Sequence, residues 1–97
     1  MLTRVANRCE GVVRAVHLRP GLVVRKERFG GLVFDVEMLR MWVVNESAAM
    51  ALSLCESGAA REGIARAVGE EYGCEQARLD TDAFLLSMVK GGFVLEE

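Results

Sequence analysis

In residues 40 to 58, Arg-Met-Trp-Val-Val-Asn-Glu-Ser-Ala-Ala-Met-Ala-Leu-Ser-Leu-Cys-Glu-Ser-Gly, a short apolar strand runs without a linker into a capped helix. Met41 to Val44 favour β structure, and Asn45 can accept hydrogen bonds from the first free N–H groups of a helix. Gly58 can take the left-handed conformation that ends one. A strand joined to a helix in this way is rigidly coupled to it and can lie at a sheet edge. The join suggests a peptide-binding module rather than an enzyme, because an open edge offers main-chain hydrogen bonds to an extended chain.

The rest of the chain sets the scale of that module. Its 97 residues suffice for one domain that buries somewhat over ~60% of its unfolded surface. Apolar residues make up 52% and charged residues 27%, which fits a folded domain and excludes a disordered tail. The longest unbroken apolar stretch, Ala48 to Leu52, is too short to span a bilayer, so no membrane role is expected. Arg4, Arg8 and Arg14 interrupt the apolar stretches near the N-terminus, which therefore lacks the core of a secretory signal. The expected location is the cytoplasm.

Chemistry-bearing residues are sparse. The three cysteines, Cys9, Cys55 and Cys74, form no CxxC pair, and their odd number argues against a disulfide framework. They read as small hydrophobes in a reducing compartment. A metal site needs about four ligands, and His17 is the sole histidine, so no metal or other cofactor is expected. His17 lies in the alternating stretch Val16-His-Leu18 and reads as a solvent-facing strand or loop residue. No nucleophile can be assembled around one unpartnered imidazole, so no catalytic residue is assigned.

Charge is divided along the chain. Residues 1 to 45 carry eight bases against four acids, net +4, and residues 46 to 97 carry four bases against ten acids, net −6. Two solvated faces explain this division, and so does electrostatic steering of a bipolar partner.

Leu22 to Arg28 and Leu32 to Val36 read as two strands, with Gly30-Gly31 permitting a tight turn or bulge between them. No GxGxxG or GK[ST] pattern follows that glycine pair, which argues for a hairpin and against a phosphate cradle. Arg40 to Val44 makes the third strand. Three helices are expected at about 46–57, 60–72 and 76–90. In the second, Ile64, Val68 and Tyr72 form one buried stripe, and Gly63 and Gly69 lower its intrinsic stability. Gly73 caps it, and Gly91-Gly92 ends the third helix before the apolar tail Phe93-Val-Leu95.

The third helix is apolar on two sides. At about 100° per residue, Phe84, Leu85, Met88 and Val89 cluster as a core stripe, while Leu79, Ala83 and Leu86, with the stem of Lys90, fall roughly opposite. The second face either packs against the sheet or an N-terminal arm of residues 1 to 17, or forms a groove with the third strand. Trp42 points to the opposite sheet face from Met41 and Val43, as core or as the wall of a peptide site. Met41, beside the edge, offers an adaptable contact.

With these elements in order, the chain resembles the PqqD family, the small winged-helix domains also called RiPP recognition elements. The resemblance covers residues 18 to 97, after an N-terminal arm of residues 1 to 17. It rests on Leu18-Arg-Pro-Gly-Leu, Glu27-Arg-Phe-Gly-Gly-Leu-Val-Phe-Asp35, the strand ending in Val44-Asn45, Leu54 with Ser57-Gly58, Glu62-Gly-Ile-Ala65, Tyr72, Asp82-Ala-Phe-Leu85 and Gly91-Gly-Phe-Val94. It implies an α+β, winged-helix-like fold in which a three-stranded antiparallel sheet is followed by three helices. It also implies a non-enzymatic chaperone that binds the leader of a ribosomally made precursor peptide and presents it to a modifying enzyme, of the radical SAM class by the Arg-Phe-Gly-Gly-Leu-Val-Phe stretch. The leader would add as a strand beside Arg40, Met41, Trp42, Val43 and Val44, against a helix face of Leu79, Ala83, Leu86 and Lys90.

The rival class is a winged-helix DNA-binding regulator, since the second and third helices are joined by a short turn. Its recognition helix would set Arg78 and Lys90 against Asp80 and Asp82, and a neutral helix in an acidic half does not neutralise phosphate. No nucleic-acid partner is expected. An unpaired edge strand could also pair with a second copy, giving a homodimer.

Overall fold

The computed structural model describes residues 15–97. Strands β1 (Ala15–Leu18), β2 (Leu22–Glu27), β3 (Gly30–Asp35) and β4 (Arg40–Val44) precede helix α1 (Glu46–Glu56). The short strand β5 (Ala59–Ala60), helices α2 (Arg61–Tyr72) and α3 (Glu75–Lys90), and strand β6 (Val94–Glu96) follow. The fold is α+β, and β2, β3 and β4 form the expected antiparallel three-stranded sheet ahead of three helices.

A second small sheet is added to this plan. β1 lies at its centre, with β5 and β6 antiparallel on either side. β1 starts at Ala15, three residues before the boundary drawn at Leu18, and residues 1–14 of the arm lie outside the described residues. The tail after the third helix is likewise a strand. Val16 and Val94, both fully buried, join the two chain segments to the core. His17 is a strand residue, half-exposed, with Nε2 2.9 Å from Glu97 Oε2. Its ring packs where a Cβ on Gly58 would stand, 2.5 Å from Cε1, and Gly58 has φ +74°. A side chain there would therefore meet both a clash and strain.

The hairpin register places the core. Val24, Val33 and Trp42 are opposite one another on one sheet face, and Val23, Phe34 and Met41 on the other. The first face packs on the helices around Leu52, Ile64, Val68 and Leu85. The turn between β2 and β3 is made by Arg28 and Phe29, and the glycine pair belongs to β3 itself. Gly30, at φ +136°, passes beneath the end of β4: a Cβ there would stand 2.3 Å from the Val44 carbonyl oxygen. These glycines thus serve close approach of two strands and a helix start, and the hairpin turns one step earlier than the sequence suggests.

Asn45 caps α1, its Oδ1 accepting from Ala48 N at 2.9 Å, so β4 and α1 are coupled as expected. In α2, Ile64 and Val68 are buried, but Tyr72 is 39% exposed, its hydroxyl donating to Glu46 Oε1 at 3.0 Å. A stripe that runs to the last turn of a helix passes beyond the core, and the phenol's polar end then finds water and a carboxylate instead.

Asp35 fixes the turn leading into β4. It is the one charged residue buried among those described. Oδ1 accepts from Met38 N at 3.0 Å and Glu37 N at 3.1 Å, and Oδ2 accepts from Arg19 Nη2 at 2.6 Å. The Met38 N–H foremost, then Arg19, holds the carboxyl below its ordinary 3.8 against the opposing effect of burial. A carboxyl with a depressed folded pKa contributes stability that is complete above its unfolded value and is lost as pH falls through the folded one. Thermal melts should therefore fall as pH drops below 3.8. Asp35→Asn should melt lower at neutral pH and show a flatter decline in acid; an unchanged acid slope would remove Asp35 from this role.

A candidate peptide-binding groove

The main chain of β4 faces two ways. The Val44 carbonyl points toward β3, as its approach to Gly30 requires. In an antiparallel ladder alternate residues direct their N–H and C=O groups to the same side, so Arg40 and Trp42 also face β3, while Met41 and Val43 face outward. Among the described residues β4 pairs with β3 alone, leaving that outer side open.

Beside this edge runs a groove of about 230 Å³ lined by Val33, Trp42, Val43, Val44, Phe84, Met88 and Phe93. Its walls are almost wholly apolar. Trp42 stands edge-on to Phe93, centroids 5.6 Å apart at 81°, and the Arg40 guanidinium lies 5.3 Å from the Trp42 ring centre. These contacts fix the indole in place with one side open to the groove. Phe93 reaches this position because Gly92, at φ +83°, reverses the chain after α3 and Phe93 N donates to Met88 O at 3.0 Å. The Arg19 guanidinium covers the Phe93 ring at 5.6 Å.

Of the residues expected at the site, Trp42, Val43 and Val44 line the groove, Arg40 stacks on Trp42, and Met41, 56% exposed, stands on the outer sheet face beside Phe34. The helix face is different. Leu79, Ala83, Leu86 and Lys90 are all exposed and none borders the groove. The groove wall is Phe84 and Met88, two members of the stripe assigned to the core. Leu85 and Thr81, buried against the rest of the domain, set the rotation of α3, and that rotation turns Phe84 and Met88 toward β4 and the opposite face to solvent. Phe93 and Val33 were missed as well. The signal for Phe93 was the glycine pair before it, which lets the tail fold back on the helix.

No member of this groove titrates, and its chemistry is that of apolar contact plus main-chain hydrogen bonding. Cys55 is fully buried, and burial, with Glu56 nearby, pushes its thiol up to about 11, so it is no nucleophile at neutral pH. Cys74 is exposed at the start of α3, and Cys9 lies outside the described residues. Among the described residues no helix is long and apolar enough to cross a membrane, and no three His, Cys, Asp or Glu side chains are grouped to hold a metal ion.

A module of mixed sheet and helices with an apolar groove beside an open strand defines a class of protein. The chain belongs to the PqqD family: the model of that family, described as coenzyme PQQ synthesis protein D, matches residues 30–94. Among solved structures, the chain is similar to one described as lasso peptide synthetase B1 complexed with the leader peptide. That match has 26% identity and a TM-score of 0.64, and it covers 82% of this chain and 96% of the other. No curated protein matches the chain.

Proposed function

We propose that this chain binds the leader segment of a ribosomally synthesised precursor peptide and holds it for a separate modifying enzyme. The observation that carries this reading is the juxtaposition of the outward N–H and C=O groups of Met41 and Val43 with the apolar groove between β4 and α3. The leader adds as a fourth strand along β4, and its alternate side chains enter the groove over Trp42, Phe84, Met88 and Phe93. Membership of the PqqD family and likeness to a structure holding a leader peptide support the same reading.

The chain supplies the binding, and the chemistry belongs to its partner. A radical SAM enzyme is the proposed partner, on the resemblance carried by Arg28-Phe-Gly-Gly-Leu-Val-Phe34. Pairing of β4 with a second copy would occupy the same main-chain groups, so a homodimer through this edge and a bound leader exclude each other. The helix pair does not favour DNA: Arg61 is held by Asp82 at 2.9 Å and Arg78 is paired with Glu75. Two of the cations a phosphate backbone would use are thereby engaged.

The test is chemical-shift mapping with the cognate leader. Shifts should concentrate on residues 40 to 44 and on Phe84, Met88 and Phe93. Val43→Pro removes an outward donor that the β3–β4 ladder does not use and sets a ring in the path of the added strand. It should weaken leader binding about tenfold or more at little cost in melting temperature. Shifts that spare residues 40 to 44 would overturn strand addition at this edge.

A further inference from the structure

The apolar groove continues past Val44 into a recess of a different character. Asn45, Ser47, Ala48, Asp80, Thr81 and Phe84 line about 240 Å³ there, and Phe84 is common to both cavities. Thr81 is only 5% exposed and borders the recess. A threonine hydroxyl at the wall of a recess can accept a hydrogen bond from a group that enters it. Asp80, on the rim, uses Oδ1 to accept from Gln76 Nε2 at 2.8 Å, which leaves its second oxygen free of bonds within the described residues. The Asn45 Oδ1 is already engaged by Ala48 N and Ser47 Oγ, so the start of α1 is capped and offers little to an anion.

We propose that this recess is a specificity pocket for a lysine or arginine side chain of the bound leader. It rests on the reading of β4 as the peptide-binding edge. The aliphatic stem lies along Phe84, and the cationic head, which can only donate, meets two acceptors, the Asp80 carboxylate and the Thr81 hydroxyl. An acidic side chain in the same place would meet Asp80 within a half-chain of net charge −6. Because the recess follows directly on β4 through Asn45, a strand paired with Val43 needs only a residue or two more to reach it.

Selection of a displayed library of random dodecapeptides on the full chain provides the test, run in parallel on wild type, Asp80→Asn and Thr81→Val. Peptides selected on wild type should share apolar anchors for the groove and carry Lys or Arg at one fixed spacing from them. The Asp80→Asn selection should keep the anchors and lose the base. In calorimetric titrations of one selected peptide, replacing its base by glutamine should lower affinity about fivefold on wild type, the scale of a single exposed ion pair, and leave it unchanged on Asp80→Asn. Thr81→Val should retain the wild-type melting temperature and weaken the basic peptide alone. Anchored peptides without a preferred base, or a base whose effect survives in Asp80→Asn, would overturn the pocket while leaving the groove intact. Failure to select any peptide that shifts residues 40 to 44 would overturn the reading of β4 and the pocket with it.

Discussion

Leu85→Asp should leave no cooperatively folded domain. Leu85 is fully buried on α3 and packs with Leu52, Ile64 and Val68 in the one core of the described residues. The substitution removes a large apolar side chain and buries an unpaired carboxylate, each costing several kcal/mol. Together these approach the ~5–15 kcal/mol that holds a typical domain. Leu86→Asp, one residue further on, changes a side chain that is 39% exposed, and its melting temperature should stay near that of the wild type. A folded Leu85→Asp domain with a sharp melt would show that α3 is rotated differently from the orientation described above.

Met88→Asp should be the most damaging change to leader binding among variants that still fold. Met88 lines the groove opposite Val44 without being fully buried, so a carboxylate there keeps contact with water in the free protein. A leader seated in the groove as proposed would remove that contact and desolvate the charge against Trp42, Phe84 and Phe93. A loss of ~2 kcal/mol or more, about thirtyfold in affinity, is expected for a central apolar wall. Titration of the cognate leader into Met88→Asp and Leu86→Asp compares the two faces of one helix. If Leu86→Asp loses binding and Met88→Asp retains it, the leader docks on the outer face of α3 and the groove beside β4 is not its site.

These two variants mark where sequence reasoning succeeded and where it stopped. The coupling of β4 to α1 was legible because Asn45 is a local device: its cap bonds depend on residues three positions away. The burial of Leu85 was legible because helical period alone groups it with its neighbours. Period gives the angle between two faces of a helix but not which face meets the sheet. That choice was made by long-range packing of Thr81 and Leu85, so Phe84 and Met88 became groove wall while Leu79, Ala83 and Leu86 went to solvent. β1 and β6 were obscured for a related reason. Each is short, and their pairing joins residues near opposite ends of the chain, a match that no local pattern announces.

That pairing has a topological consequence. Glu97 N donates to Ala15 O at 3.1 Å, so the first and last of the described strands are held side by side at the surface. A domain closed in this way can be spliced into another polypeptide as a cassette, entering and leaving at the same place, without a linker that must cross the molecule. It can equally be circularly permuted by joining Glu97 to Ala15 through a few residues, with a new opening cut at the exposed Arg28-Phe29 turn. In either arrangement β4 and α3 are left uncut, so the groove can be carried into a fused enzyme as an intact unit.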